Sequence, residues 1–142
     1  MPYKFGNNLG KLTMNVSKII GRSLETNFIK EGIVFKANEW VVLTYLYNLG
    51  PQTQKQLVIL TGKDKVAIKR IVDVFEDQRY AIRIIEDHDR RFRKVKLTTK
   101  GKSLYIKLEK TVQETLLSTT KDIDPAKLKT CIEVLADIVK NH

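Results

Sequence analysis

The chain has 142 residues, and 42% of them are apolar, so its length and composition suit one domain with a buried core. No apolar run approaches the roughly 20 residues of a membrane-spanning helix, and we expect a cytoplasmic protein without a membrane partner. One cysteine cannot form an internal disulfide, and two histidines far apart do not suggest a metal site. The net charge of +10 predicts attraction to polyanions, above all to nucleic acid, with a basic soluble protein lacking such a partner as the alternative.

The chain begins with two predicted helices. Apolar residues at helical spacing predict the first over residues 9 to 31, with Gly32 as its stop. The second is predicted to begin at Asn38, a good N-cap, and to end at Gly50 and Pro51. The apolar stripe of the first helix consists of Leu9, Leu12, Val16, Ile19, Ile20, Leu24 and Phe28. Another part of the structure must cover such a stripe.

A short helix and a longer one follow. The sequence TQKQ from Thr53 to Gln56 matches a capping box, and Gly62 ends the helix that it opens. Asp64 is the predicted N-cap of the next helix, which ends near Arg79. The core-facing residues of that helix are predicted to be Ile68, Ile71, Val72 and Phe75. Two helices separated by a tight turn are typical of a helix-turn-helix unit.

Beyond the fourth helix the periodicity changes. Residues 81–86 and 92–98 predict two strands, joined by a charged turn at 87–91. A long helix is predicted over about 100–119, and Pro125 stands at the first position of the last helix. The helices are thus interrupted by a single β-hairpin.

This element order predicts a fold that is mainly α with a small β-hairpin, a winged helix-turn-helix with N- and C-terminal dimerisation helices. We expect one domain over residues 1–142, with the winged helix-turn-helix lobe at about 36–98 and the dimerisation helices at about 7–31 and 100–140. The terminal helices have three apolar stripes that one chain cannot easily cover, which favours a homodimer over a self-contained helical cap. A two-fold dimer would also place two recognition helices one turn of DNA apart.

Residues 57–104 resemble the DNA-binding core of the MarR family of bacterial transcriptional regulators. The resemblance rests on DRR at 89–91 ahead of LT at 97–98 and KG at 100–101, and on TG at 61–62 before the recognition helix. The wider helix order resembles the family over nearly the whole chain. The resemblance implies a homodimer in which both ends of the chain interlock, and effectors that are often small aromatic or phenolic compounds.

Two features depart from the family pattern. Family members usually have a glycine after the recognition helix, where a left-handed residue is needed, and this chain has Arg79 and Tyr80 there. Peroxide-sensing members use a cysteine near the N-terminus, which this chain lacks, so that chemistry is not expected. Cys131 lies beside the apolar stripe of the last helix, and we interpret it as a small packing residue rather than a redox sensor.

The predicted recognition helix carries basic residues on the side away from the core. Lys65, Val66 and Lys69 are expected to contact bases, and Arg70 is expected to contact a phosphate. Lysine and arginine can reach guanine O6 and N7 in the major groove, and a small apolar side chain can contact a thymine methyl group. The alternative is an ordinary solvated helix face, which the neighbouring turn and basic hairpin disfavour.

The predicted hairpin has six basic residues between positions 90 and 100 and no acidic residue among them. Lys94 and Lys96 are expected to point outward from the second strand. Arg91 at the tip would enter the minor groove, braced by Asp89. The alternative is that these lysines only protect an exposed edge strand from aggregation. The hairpin residues predicted to contact DNA are Arg90, Arg91, Arg93, Lys94 and Lys96.

Three aromatic residues of the second helix, Trp40, Tyr45 and Tyr47, are candidates for lining a pocket for a small aromatic effector. Aromatic residues at helical spacing more often belong to the core, and that alternative stays open. No cofactor and no metal ion are expected.

The sequence therefore favours a sequence-specific regulator of transcription that binds double-stranded operator DNA, as a homodimeric, ligand-responsive repressor. The alternative is a winged-helix module that binds proteins or ligands without recognising DNA, which would have little use for the basic residues. An enzyme is not expected, because the sequence shows no phosphate-binding loop and no catalytic Cys–His or Ser–His arrangement with supporting context.

Overall fold

A computed structural model of the chain describes residues 2–85 and 93–142. Its elements are α1 (Leu9–Lys30), α2 (Ala37–Leu49), β1 (Gln52–Thr53), α3 (Gln54–Thr61), α4 (Lys65–Asp77), β2 (Ala81–Ile85), β3 (Arg93–Leu97), α5 (Thr99–Thr119) and α6 (Pro125–Lys140). The three strands form one antiparallel sheet in the order β1, β3, β2. The fold is mainly α with a small sheet, as predicted. No helix within the described ranges is long and apolar enough to cross a membrane.

The sheet contains one strand more than the predicted hairpin. β2 and β3 pair as antiparallel neighbours, with Ala81 opposite Leu97, as expected for the two arms of a wing. On the other side of β3 the two residues of β1 complete the sheet, with Gln52 opposite Val95. Two residues are too few to show the alternation by which a strand is predicted.

The turn between α3 and α4 is built by local caps, as the sequence predicted. The Thr53 amide donates to the Gln56 side chain at 2.8 Å, and the Gln56 amide donates to Thr53 Oγ1 at 3.0 Å. Gly62 ends α3 in the left-handed conformation, with φ at +70°. Asp64 Oδ1 then accepts from the Ala67 amide at 2.8 Å and opens α4. These bonds satisfy amides that the first turn of each helix leaves unpaired.

The second helix begins before Asn38, so the prediction of Asn38 as its N-cap was wrong. α2 starts at Ala37, whose amide donates to Glu25 Oε2 of α1 at 2.9 Å. The Lys36 amide donates to Glu39 Oε1 at 3.1 Å. Asn38 instead accepts a hydrogen bond from Lys63 Nζ at 2.9 Å. The start of α2 is therefore held both by its own Glu39 and by a carboxylate from another helix.

The core joins α1 to α5 and the sheet. Its largest fully buried side chains are Phe28, Phe75, Leu43, Leu57, Ile68, Leu108, Val42, Val72 and Val95. Within α1 only Leu24 and Phe28 are buried, and α6 buries no residue. Among the exposed apolar side chains of these two helices are Leu9, Leu12, Met14, Val16, Ile19, Ile132, Val134, Ile138 and Val139. Much of both terminal helices therefore stays uncovered in a single chain.

The end of α4 is tied to the start of α5. Arg79 holds a φ of +62°, so an arginine takes the left-handed position for which glycine is the usual residue. The Thr98 hydroxyl donates to the Arg79 carbonyl at 2.6 Å and accepts from the Gly101 amide at 3.1 Å. A Cβ atom on Gly101 would lie only 2.1 Å from the Tyr80 carbonyl oxygen. The absence of a side chain at Gly101 is what allows α5 to start this close to the end of α4.

Candidate nucleic-acid interface

The exposed face of α4 carries the residues predicted to contact bases. The opposite face buries Ile68, Ile71, Val72 and Phe75, as expected. Val66 is 77% exposed, and Lys65, Lys69 and Arg70 are exposed with it. A helix with such a free face has the dimensions that fit the major groove of B-DNA.

Lys69 is paired within this face. Its Nζ donates to Asp73 Oδ2 at 2.8 Å, one helical turn further on, and its side chain is 65% exposed. The second carboxylate oxygen of Asp73 accepts from Arg83 at 2.8 Å. The hydrogen bond from Lys69 and then that from Arg83 lower the pKa of Asp73, so its carboxyl group is charged at neutral pH. Lys69 must give up this partner in order to contact a base.

Arg83 of β2 belongs to this site although it was not predicted from the sequence. Its side chain is only 17% exposed, and its guanidinium donates to Asp73, Glu76 and Gln54. The sequence does hold one signal for it: an arginine stands within the apolar strand sequence AIRII, after a helix that ends in acidic residues. Sequence spacing alone does not reveal that three side chains from two helices meet it.

Arg70 lies on the other flank of α4. It lines a cavity of about 540 Å³ whose wall includes Phe35, Ile71 and Tyr80. Glu39 is at the same cavity, where burial raises the pKa of its carboxyl group against the opposing effect of the Lys36 amide. The other lining residues are Gly32, Ile33, Val34, Lys36, Asn38, Val74 and Gln78. Arg70 and Lys69 thus line different cavities.

β3 carries three basic residues, Arg93, Lys94 and Lys96. Val95 and Leu97 are buried, whereas Arg93 and Lys96 are exposed and Lys94 is partly buried. Val95, Lys96 and Leu97 follow the predicted alternation, whereas Lys94 is less exposed than predicted. The outward side of β3 is therefore strongly basic.

The start of β3 and the exposed face of α4 meet in one cleft. Lys69 and Arg93 both line it. Arg90, Arg91 and Asp89, which were predicted to form the tip of the wing, lie outside the described residues. Their proposed contacts stay predictions.

The three aromatic residues of α2 do not form one group. Trp40 and Tyr47 both stack on Tyr105 of α5, with ring centroids 5.1 and 3.9 Å apart. Tyr45 is partly buried and packs against the core. The cavity beside Arg70 is lined by other residues. Their role in ligand binding stays a prediction.

Cys131 was expected to pack beside the apolar stripe of the last helix, but it is exposed in the single chain because α6 buries none of its residues. Within residues 2–85 and 93–142, no three histidine, cysteine, aspartate or glutamate side chains are placed to hold a metal ion.

The capped turn between α3 and α4, the free face of α4 and the antiparallel β2–β3 pair define a winged helix-turn-helix protein. A model of the MarR family matches residues 35–91. This match and the solved structures described next support membership of the MarR family of transcriptional regulators.

Three solved structures are similar over nearly the whole chain. A MarR family transcriptional regulator from Silicibacter pomeroyi is 28% identical, with a TM-score of 0.81 over 99% of this chain and 97% of that one. A variant of MarR from E. coli, complexed with operator DNA, is 23% identical, with a TM-score of 0.82 over 96% and 99%. BpsR from Bordetella bronchiseptica, whose DNA binding is regulated by 6-hydroxynicotinic acid, is 19% identical, with a TM-score of 0.83 over 98% of each chain. The similarity to the last two structures shows a shared fold.

Proposed function

We propose that this protein is a homodimeric repressor that binds a specific operator in the cytoplasm and releases it when a small aromatic ligand binds. The observation that carries the proposal is the cleft lined by both Lys69 of α4 and Arg93 of β3. It brings the exposed face of a helix that fits the major groove next to a basic strand. A module that binds only proteins would not need cations at both places.

The two basic elements have different roles in this proposal. Lys65, Val66 and Lys69 contact base edges in the major groove, and Arg70 contacts a phosphate on the other flank of the helix. The basic side chains of the wing contact the DNA backbone, and the arginine at its tip enters the minor groove with the support of an aspartate. The wing residues in these roles are Asp89, Arg90, Arg91, Arg93, Lys94 and Lys96.

The dimer is formed by the terminal helices. Exposed apolar side chains along α1 and α6 form a surface of a kind that a soluble monomer rarely leaves open. A second copy presents the same stripes, so a two-fold pair can cover both sets at once. Sedimentation should give about twice the chain mass of 16.4 kDa. A stable monomer at micromolar concentration that still binds operator would contradict this arrangement.

The ligand binds beside the aromatic residues of α2 in this proposal, with Trp40, Tyr45 and Tyr47 as its lining. Trp40 is the single tryptophan of the chain, so its fluorescence reports on this place alone. We would titrate 6-hydroxynicotinic acid first, because it regulates DNA binding by BpsR. The emission of Trp40 should change over the same concentration range in which operator is released. Release without any change in emission would place the ligand elsewhere.

The DNA-binding role can be tested with a pool of promoter fragments. Fragments retained by the protein are sequenced, and the affinities of a retained duplex and a scrambled duplex are compared for Lys69→Ala. If Lys69 contacts a base, the variant should lose roughly 1–3 kcal/mol of discrimination between the two duplexes. An equal loss on both duplexes would assign Lys69 to a phosphate instead.

Lys121→Ala is the matched control. It removes the same charge from the loop beyond α5, a helix of 21 residues that spans about 30 Å. We expect this variant to change both affinities little. If Lys121→Ala and Lys69→Ala behave alike, the net charge rather than the face of α4 binds DNA, and a module without sequence recognition becomes the better description.

A further inference from the structure

Arg83 joins three elements of the fold through one guanidinium group. Its Nη2 donates to Asp73 Oδ1 at 2.8 Å and to Gln54 Oε1 at 3.1 Å, and its Nε donates to the same amide oxygen at 3.3 Å. Its Nη1 donates to Glu76 Oε1. Gln54 is the first residue of α3, and the two acidic residues lie on α4. With 17% of its side chain exposed, Arg83 lines the same cleft as Lys69 but is largely buried there.

Asp73 is paired with two cations, the largely buried Arg83 and the exposed Lys69. Arg83 holds one of its oxygens, and Lys69 holds the other, each at 2.8 Å. The lysine side chain is 65% exposed and ends a flexible four-carbon stem, whereas the guanidinium is planar and bound at several donors. Lys69 can therefore leave the carboxylate while Arg83 stays.

A free carboxylate on this face would oppose DNA binding. The four groups of the cluster carry no net charge, because Lys69 and Arg83 supply +2 and Asp73 and Glu76 supply −2. When Lys69 moves to a base edge, Asp73 keeps its bond to Arg83 and is not left as an unpaired anion that faces the phosphates. Without Arg83, Lys69 would be the remaining cation of the cluster, and its departure would expose the negative charge.

We propose that Arg83 is a specificity-determining positioning residue, which keeps Asp73 paired so that Lys69 can exchange this carboxylate for a base. The inference rests on the proposed base contact of Lys69. Arg83 itself touches no DNA in this role. It acts through Asp73, and its effect should therefore be found in discrimination between sequences.

The test is a set of variants that are compared for discrimination between a retained duplex and a scrambled one. Arg83→Gln should lower discrimination roughly 5- to 150-fold, which is the range expected for losing one base contact. In a Lys69→Ala background the same change should cause no further loss of discrimination, since the contact is already gone. Asp73→Asn added to Arg83→Gln should restore discrimination, because no carboxylate then retains Lys69. If Arg83 is only structural, the opposite is expected. The losses of discrimination caused by Arg83→Gln and Lys69→Ala should then add, and Asp73→Asn should not restore discrimination.

Arg93→Gln serves as the control for charge, because Arg93 lines the same cleft. It should weaken binding to both duplexes alike and keep discrimination. If the unmodified protein discriminates between the duplexes, but the losses add or Asp73→Asn does not rescue, then the proposed role of Arg83 is wrong. The proposed function would stand in that case. A parent without discrimination would overturn the proposed function and this inference together.

Urea denaturation shows whether Arg83→Gln still folds. If it does not, Asp73→Asn alone decides the question. Discrimination should then equal or exceed that of the parent, because Lys69 no longer has to leave a carboxylate. A loss of discrimination in this variant would mean that the carboxylate itself directs Lys69, and the proposal would be wrong.

Discussion

Replacing Gly101 with alanine tests how tightly the end of α4 is held against α5. The added Cβ would lie 2.1 Å from the Tyr80 carbonyl oxygen and 3.0 Å from its carbon. These are backbone atoms, so they cannot rotate away as a side chain could. The same carbonyl oxygen accepts a hydrogen bond from the Thr98 amide at 3.0 Å. The methyl group must therefore push the chain after α4 away from the start of α5.

The magnitude follows from three contributions. Inserting a methyl group into a packed junction costs about 1–3 kcal/mol. Losing the Thr98 hydrogen bond costs about 1 kcal/mol, and the better helix propensity of alanine over glycine returns about as much. We expect Gly101→Ala to lower the free energy of unfolding by about 1–3 kcal/mol in total.

Urea denaturation followed by circular dichroism at one fixed protein concentration measures this difference. Gly21→Ala is the matched control, since Gly21 lies inside α1 and its Cβ would meet only the Ala37 side chain at 3.6 Å, an ordinary contact. The control should gain up to about 1 kcal/mol from helix propensity. If Gly101→Ala were as stable as Gly21→Ala, the close contact between Tyr80 and α5 would not exist as described.

Three further predictions concern single residues. Arg79→Gly should raise the free energy of unfolding by about 0.5–1 kcal/mol, because relief of the left-handed arginine outweighs the greater freedom of an unfolded glycine; a loss of stability in urea would contradict this. Cys131→Ser should leave operator affinity and its response to oxidant unchanged, and an oxidant response that disappears with the thiol would refute it. Asp73 has a folded-state pKa below its ordinary 3.8, so its stabilising contribution is present above that pH and is lost as pH falls through the lowered value. The melting temperature of the parent should therefore fall more steeply than that of Asp73→Asn below about pH 4, and equal slopes would be contrary to the linkage.

Local chemistry is what made much of the fold predictable. The capping box at Thr53, the left-handed Gly62 and the Asp64 cap each depend on residues within four positions, and all three were predicted correctly. The start of α2 was not predicted, because Glu25 of another helix caps it. The strand at residues 52–53 was missed for a similar reason, since its pairing partner lies more than 40 positions away.

In the candidate site, too, features set by neighbouring residues were predictable and features set by distant residues were not. Apolar spacing along α4 correctly placed Lys69 on the exposed face, and its spacing to Asp73 is one at which helix neighbours meet. Arg83 could not be assigned, because its partners come from two other elements and only the folded chain brings them together. The exposure of Cys131 was also beyond sequence reasoning, since an apolar stripe does not say whether its own chain covers it.

Sequence-specific DNA binding is the central claim, and fluorescence anisotropy tests it most directly. A labelled duplex chosen from the retained promoter fragments and a scrambled duplex of the same length and composition are titrated with the unmodified protein at about 150 mM salt, where non-specific phosphate contacts are weakened. We predict that the selected duplex binds roughly a thousandfold more tightly, or better, with two chains for each duplex. Equal affinities for the two duplexes would contradict the claim, because the basic surface would then bind DNA only as a polyanion.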